Sequence, residues 1–245
     1  MVVIALTIVV VRNSVDIIAG WASQKIPPTA DAQIGDLLFN QYRQSHNLEP
    51  ASATDVARLR QIGERLARQL GSTPFDFKFW VEQSDQINAF AFPGGNIVVY
   101  SKWLEQADNN DEIAGVVGHE IGHVINRHHL RHLIYSGGTA VTLELLFHGG
   151  GRYAELLQKY LELDRLRYGR SEESDADKTG VRLAMEADYN PNAIISFHQK
   201  IARLYPQLNN RLAAFQSDHP MPDERIAQIK RDIAQFNAEH TEAAI

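Results

Sequence analysis

The segment His119-Glu120-Ile121-Gly122-His123 constrains this chain more than any other. Two histidines four residues apart serve a common purpose when the backbone between them is helical, because i and i+4 then lie on one face. Both imidazoles can reach one metal ion. Glu120, one residue beyond the first histidine, sits at the edge of that face, where its carboxylate meets a water on the metal instead of the metal itself. The neighbouring glycines add a second constraint. Gly115, Gly118 and Gly122 fall within the same helical pattern, and each costs about 1 kcal/mol relative to Ala in a helix interior. Three such costs in one helix imply close packing of another element, a sheet or a neighbouring helix. The helix is predicted over 110–135. Asn109 and Glu112 are placed as a capping box, and Ile113, Val116, Val117, Ile121, Val124 and Ile125 form its core face.

Helical spacing of apolar residues also predicts helices over 31–44 and 55–70, the second ended by Gly71. Residues 75–82 alternate apolar and polar for most of their length, as a half-buried strand does. Residues 88–92, the turn-forming Pro93-Gly94-Gly95-Asn96, and 97–100 read as strand, turn, strand. A small antiparallel sheet is expected beside the 110–135 helix. Gly-rich breaks at 137–138 and 149–151 precede further helices predicted over 153–167, 172–186 and 191–204. A last one, over 222–236, places Ile226, Ile229, Ile233 and Phe236 on one stripe with Pro222 in its first turn. The fold class is α+β and mostly helical.

The chain has 245 residues, 44% hydrophobic and 22% charged, which suits a folded protein with a real core. The net charge of −6 and the scattered basic residues argue against a nucleic-acid partner. Cysteine is absent, so a metal here takes histidine and carboxylate ligands, not thiolates. Residues 1–27 stand apart as an apolar segment interrupted by Arg12, Asn13 and Asp16 and closed by Pro27 and Pro28. Its uninterrupted apolar runs are shorter than the roughly 20 residues a membrane span takes. A membrane anchor whose start is missing is the reading adopted, against an interfacial segment or a buried core element. Residues 28–245 form the remaining domain.

A catalytic zinc takes three protein ligands and leaves a position open. Two residues compete for the third place. His129 would extend the pattern to HExxHxxNxxH, with Asn126 standing where a left-handed glycine ends the helix in metzincins. Against it, 126–134 continues as plausible helix, and no convincing methionine turn follows. His128, His129 and His132 then read most simply as the solvated, basic end of the helix. The other candidate is Glu173, with Asp177 four residues on and on the same face. One carboxylate could bind metal while the other holds a ligand histidine. An ordinary acidic helix start explains the same residues equally well.

Taken together, His119 to His123, Arg170 followed by Glu173-Ser174-Asp175-Ala176-Asp177, Asn88-Ala89-Phe90-Ala91-Phe92-Pro93-Gly94-Gly95, and His219-Pro220 with Glu224-Arg225-Ile226 resemble one family. This is the HtpX/BepA/Oma-type group of gluzincin zinc metalloproteases, relatives of the CAAX prenyl protease. The resemblance covers roughly residues 86–229. It implies a zincin-like metalloprotease domain with one Zn2+ per chain, held by His119, His123 and Glu173. It also implies Glu120 as the catalytic base, Asp177 behind a ligand, and Asn88, Ala89, Phe90, Ala91 and Phe92 as the sheet edge that pairs with an extended substrate. Tyr168, Arg170 and His219 are candidates to hold the oxyanion. His219 is also similar to a loop histidine that takes the fourth zinc position in relatives, and otherwise reads as a helix-entry residue before Pro220.

The expected function is zinc-dependent hydrolysis of peptide bonds in unfolded or misassembled envelope proteins. Membrane association would run through the N-terminus, with the catalytic domain in the periplasm, though a cytoplasmic place stays open. The alternative from another class is a catalytically silent zinc-binding relative that binds or chaperones proteins. Glu120 favours the enzyme.

Overall fold

In the computed structural model, the described residues are 26–48, 52–134, 169–204, 219, 221 and 223–243. The apolar start, the helix predicted over 153–167 and Tyr168 lie outside them. Helix α1, Pro28–Ser45, starts where a proline fits the first helical position, since the missing N–H has no partner there anyway. Helix α2, Ala53–Arg68, is capped by Ser52, whose hydroxyl accepts from the Asp55 N–H at 3.2 Å. Strands β1 (Lys78–Glu82), β2 (Ala89–Ala91) and β3 (Asn96–Tyr100) follow.

The sheet order is β1-β3-β2, with β1 parallel and β2 antiparallel to β3. The sheet is therefore mixed, not antiparallel as expected. The β2–β3 hairpin closes through Gly94 (φ 82°) and Gly95 (φ 117°), a left-handed pair that residues with a Cβ rarely adopt. Strand β1 has no such turn to oblige it to reverse. The chain crosses from β1 to the far side of β3 and returns, which leaves β1 parallel. A short helix that the apolar pattern did not predict, α3 (Ser101–Gln106), follows β3 directly.

Helix α4, Asn110–Ile125, carries the 119–123 segment. Asn109 caps it, accepting from the Glu112 N–H at 3.0 Å. The helix does not run on to residue 135. Asn126 closes it, and Arg127 takes a left-handed φ of 57°, after which residues 128–134 are helical again. Helices α5 (Arg170–Glu186), α6 (Ala193–Leu204) and α7 (Asp223–Ala243) complete the described fold. Among the described residues, no helix is long and apolar enough to cross a membrane.

The three glycines of α4 lie where other backbones come closest. A Cβ on Gly122 would stand 2.6 Å from the Ala176 carbonyl oxygen, and one on Gly118 would stand 3.2 Å from the Gly180 Cα. A Cβ on Gly115 would meet the Ile194 backbone nitrogen at 3.0 Å. The close neighbours are thus α5 and α6, and α4–α5 is the most extensive contact between elements. The main core gathers Leu59, Ile97, Trp103, Val117 and Ile121 with Ile229 of α7. A second cluster, on the other side of the sheet, joins Ile34 and Leu38 of α1 to Phe90, Phe92, Leu130 and Ile134.

Candidate metal centre

Helix α4 places His119 and His123 one turn apart, with their Nε2 atoms 3.0 Å from each other. The close approach of α5 over Gly122 brings Glu173 to both. Its carboxylate oxygens lie 3.7 Å from His119 Nε2 and 3.4 Å from His123 Nε2. His219 arrives from the segment before α7, its Nδ1 3.0 Å from Glu173 Oε1 and 3.2 Å from His119 Nε2. One ligand atom from each of these four buried residues lies within 4.8 Å of the others. Glu120 stands beside the group, its Oε1 3.6 Å from His219 Nε2.

The second rank is as ordered as the first. Asp177, one turn after Glu173, meets His119 Nδ1 at 2.9 Å. Arg225, in the first turn of α7, grips Asp177 with two donors, Nε to Oδ2 at 2.5 Å and Nη2 to Oδ1 at 2.7 Å. Its Nη1 also pairs with Glu173. A buried arginine with two carboxylates compensates charges that would otherwise be costly to hide.

Protonation follows from these contacts. Burial lowers the pKa of His119, despite the contrary pull of Asp177 and Glu173, and lowers that of His123 further. Both rings are neutral at pH 7. Burial raises the Glu173 carboxyl, but His219 and Arg225 outweigh it and hold the group well below its ordinary range. Asp177 is likewise held down, chiefly by Arg225 against burial. Burial opposes charge on His219, yet Glu173 and Glu120 overcome it and raise its pKa to about 9. The carboxylates thus draw positive charge to this spot.

The donor set fits a divalent cation. With its N–H committed to Asp177, neutral His119 presents a lone pair at Nε2. Two imidazole nitrogens and an anionic carboxylate from buried residues converge, a set of nitrogen and oxygen donors that suits Zn2+.

A Glu173 oxygen lies 3.4 Å from His123 Nε2, whereas His129 is not among the four described residues whose ligand atoms converge. His129 is nonetheless buried, its ring centroid 5.9 Å from that of His123. The expectation of a solvated histidine end is corrected for His128 and His129, which are 0% and 2% exposed. The left-handed turn at Arg127 folds residues 128–134 back beneath α1, where Leu130, Leu133 and Ile134 join the second core cluster. His128 Nδ1 meets His123 Nδ1 at 2.9 Å, and half-buried His132 meets Glu172 at 2.9 Å.

Arg170 begins α5 in an exposed position. Asn88 to Phe92 surround β2, one of the two outer strands of the described sheet, with Phe90 and Phe92 in one core cluster and Ala89 and Ala91 in the other. The Asn88 carbonyl accepts from Tyr100 N–H, and Phe92 N–H donates to Asn96, so alternate residues face β3. Helix α4 lies against this strand.

Arg225 and His128 were given no such role from the sequence alone. Arg225 did carry a signal, since it stands four residues before Ile229 and therefore on the buried stripe of α7. His128 carried none.

The chain is related in sequence to known proteins. The model of the family described as Peptidase family M48 matches residues 53–233. The chain is 28% identical over 194 residues to the beta-barrel assembly-enhancing protease of Yersinia pestis, a match covering 75% of the chain and 40% of the relative. It is 26% identical over 209 residues to metalloprotease LoiP of Escherichia coli strain K12, covering 82% and 81%. A mitochondrial metalloendopeptidase of Schizosaccharomyces pombe is 26% identical over 177 residues, covering 69% and 50%. The chain spans about two fifths of the length of the beta-barrel assembly-enhancing relatives it matches.

Proposed function

The chain belongs to peptidase family M48, and on that premise we propose that it is a zinc-dependent endopeptidase acting on unfolded or misassembled envelope proteins. The observation that carries this reading is the buried Glu120 carboxylate beside the converging donors of His119, His123 and Glu173. Those three residues would hold the ion. Zinc in such a site supplies Lewis-acid polarisation of a carbonyl and lowers the pKa of adjacent water to about 7.

Glu120 takes a proton from the attacking water as its oxygen bonds to the scissile carbonyl carbon. The same carboxyl then gives that proton to the amine nitrogen as the C–N bond breaks. Asp177 keeps His119 in the tautomer that offers Nε2, Arg225 favours the ionised form of Asp177, and His219 with Arg225 favours that of Glu173. Of the oxyanion candidates, His219 is favoured by its position, with Nε2 3.6 Å from Glu120 Oε1. In this reading an extended peptide adds as a further strand beside β2, one of the two outer strands of the described sheet, and α4 lies beside it. Membrane association rests on the apolar segment 1–27, and a place in the bacterial envelope rests on the kinship with beta-barrel assembly-enhancing proteases.

The test is cleavage of unfolded casein, with zinc content measured in parallel, for wild type and Glu120→Gln. The variant is expected to keep its zinc and lose about 10²–10⁴ in rate, the usual contribution of general-base help. Equal cleavage by both proteins would refute the mechanism.

A further inference from the structure

A metal-binding imidazole that coordinates through Nε2 has its single N–H at Nδ1, and that proton needs an acceptor. His119 places it on Asp177. For His123 the group at Nδ1 is the ring of His128, 2.9 Å away between Nδ1 atoms, with the two rings steeply inclined at 74°. Resting on the reading of His123 as a zinc ligand, we propose that His128 is the positioning residue for His123, accepting its Nδ1 hydrogen and fixing the ring's tautomer and direction.

On an unbroken helix this contact could not form. Five residues at 100° each place side chains about 140° apart around the axis. The left-handed turn at Arg127 makes it possible, and that conformation is unfavourable for a residue with a Cβ. It is held from outside. Arg127 donates to both carboxylate oxygens of buried Asp31 on α1, at 2.8 and 2.6 Å, and to the Ile26 carbonyl at 2.8 Å. Asn126 Nδ2 secures the other side by donating to the Gly122 carbonyl at 2.8 Å. A costly turn clamped by α1 and ending with a fully buried histidine against a ligand ring is a device for placing that histidine. The two ligand rings are then backed differently, His119 by an anion and His123 by a neutral ring.

Leu and Asn at position 128 separate this role from packing. The two side chains have nearly the same shape, but Asn puts an oxygen close to where His128 carries Nδ1, whereas Leu puts a methyl there. Zinc affinity of the full chain is measured by competition with a chromophoric chelator, alongside the visible spectrum of the cobalt(II)-substituted protein and the melting temperature of the metal-free form. His128→Leu is expected to weaken zinc binding about 10–100-fold, the usual loss for an outer partner of a ligand, and to alter the cobalt spectrum. His128→Asn is expected to stay within about threefold of wild type. The proposal is overturned if the Leu variant binds zinc as wild type does. It is equally overturned if Asn loses as much as Leu, which would mark a packing role. Wild type and His119→Ala check the foundation separately: if they bind zinc equally, the metal centre itself is misassigned, whatever the position-128 variants do.

Discussion

Gly122 lies inside the 119–123 segment but touches no metal, which makes Gly122→Ala a clean probe of how the centre is assembled. The added Cβ would stand 2.6 Å from the Ala176 carbonyl oxygen and 2.8 Å from its Cα, both of them backbone atoms that no rotamer change can remove. Reaching 3.0 Å, the shortest approach real Cβ atoms show, takes a shift of 3.0 − 2.6 = 0.4 Å, and ordinary contact at 3.4 Å takes 0.8 Å. Helices α4 and α5 must separate by that much. The same movement parts His119 and His123 from Glu173 and Asp177. The 2.9 Å contact of His119 with Asp177 would stretch to about 3.3 Å or more, beyond a good hydrogen bond. Zinc–ligand distances tolerate only about 0.2 Å.

Stability changes less than the site does. Overpacking costs about 1–3 kcal/mol, while replacing a helical Gly by Ala returns about 1 kcal/mol. The net is a loss of about 0–2 kcal/mol, which a folded domain can survive. Zinc affinity is expected to fall by a factor on the order of 10–100, as it does when outer partners of a ligand are lost. Gly118→Ala, with its closest approach at 3.2 Å, should lose less. Chelator competition reads the affinity, and circular dichroism of the metal-free proteins reads the fold. Zinc affinity in Gly122→Ala within twofold of wild type, or a larger loss in Gly118→Ala, would refute the reasoning.

Arg225→Leu removes the cation from between two buried carboxylates, so the metal-free protein should lose about 3–5 kcal/mol in urea unfolding; a loss below about 1 kcal/mol would mean that Asp177 and Glu173 are neutralised some other way. Stripping zinc with a chelator should lower the melting temperature, and restoring free zinc to about a hundred times its Kd should return about 2.7 kcal/mol. That rescue should vanish in His123→Ala, and a calorimetric scan of the two proteins with and without zinc decides it.

What could be read in the sequence follows the range of the interactions responsible. The i, i+4 histidines and the recurring glycines of α4 are local patterns with local physics. They predicted both a metal-binding face and a close neighbour, and α5 is found over that helix at Gly118 and Gly122. Glu173 and Asp177 were ambiguous for a different reason. A capping carboxylate and a metal ligand call for the same residue types at the same spacing, and contacts tell them apart: Glu172 accepts from the Gly169 N–H as a cap does, whereas Glu173 lies 3.4 Å from His123 Nε2 and Asp177 2.9 Å from His119 Nδ1. The end of α4 was marked only faintly, by Asn126 within the alternative that used His129. Its left-handed residue is an arginine, not a glycine, and the carboxylate that holds it there belongs to Asp31, 96 residues earlier. No window short enough to show helical periodicity contains both partners. The direction of β1 was obscured in the same way, because it depends on a crossing and not on a turn. The i, i+4 histidine pair can therefore be found by spacing, whereas the residues packed against it, Arg225 and His128, depend on contacts between distant segments and become visible once the fold has brought them together.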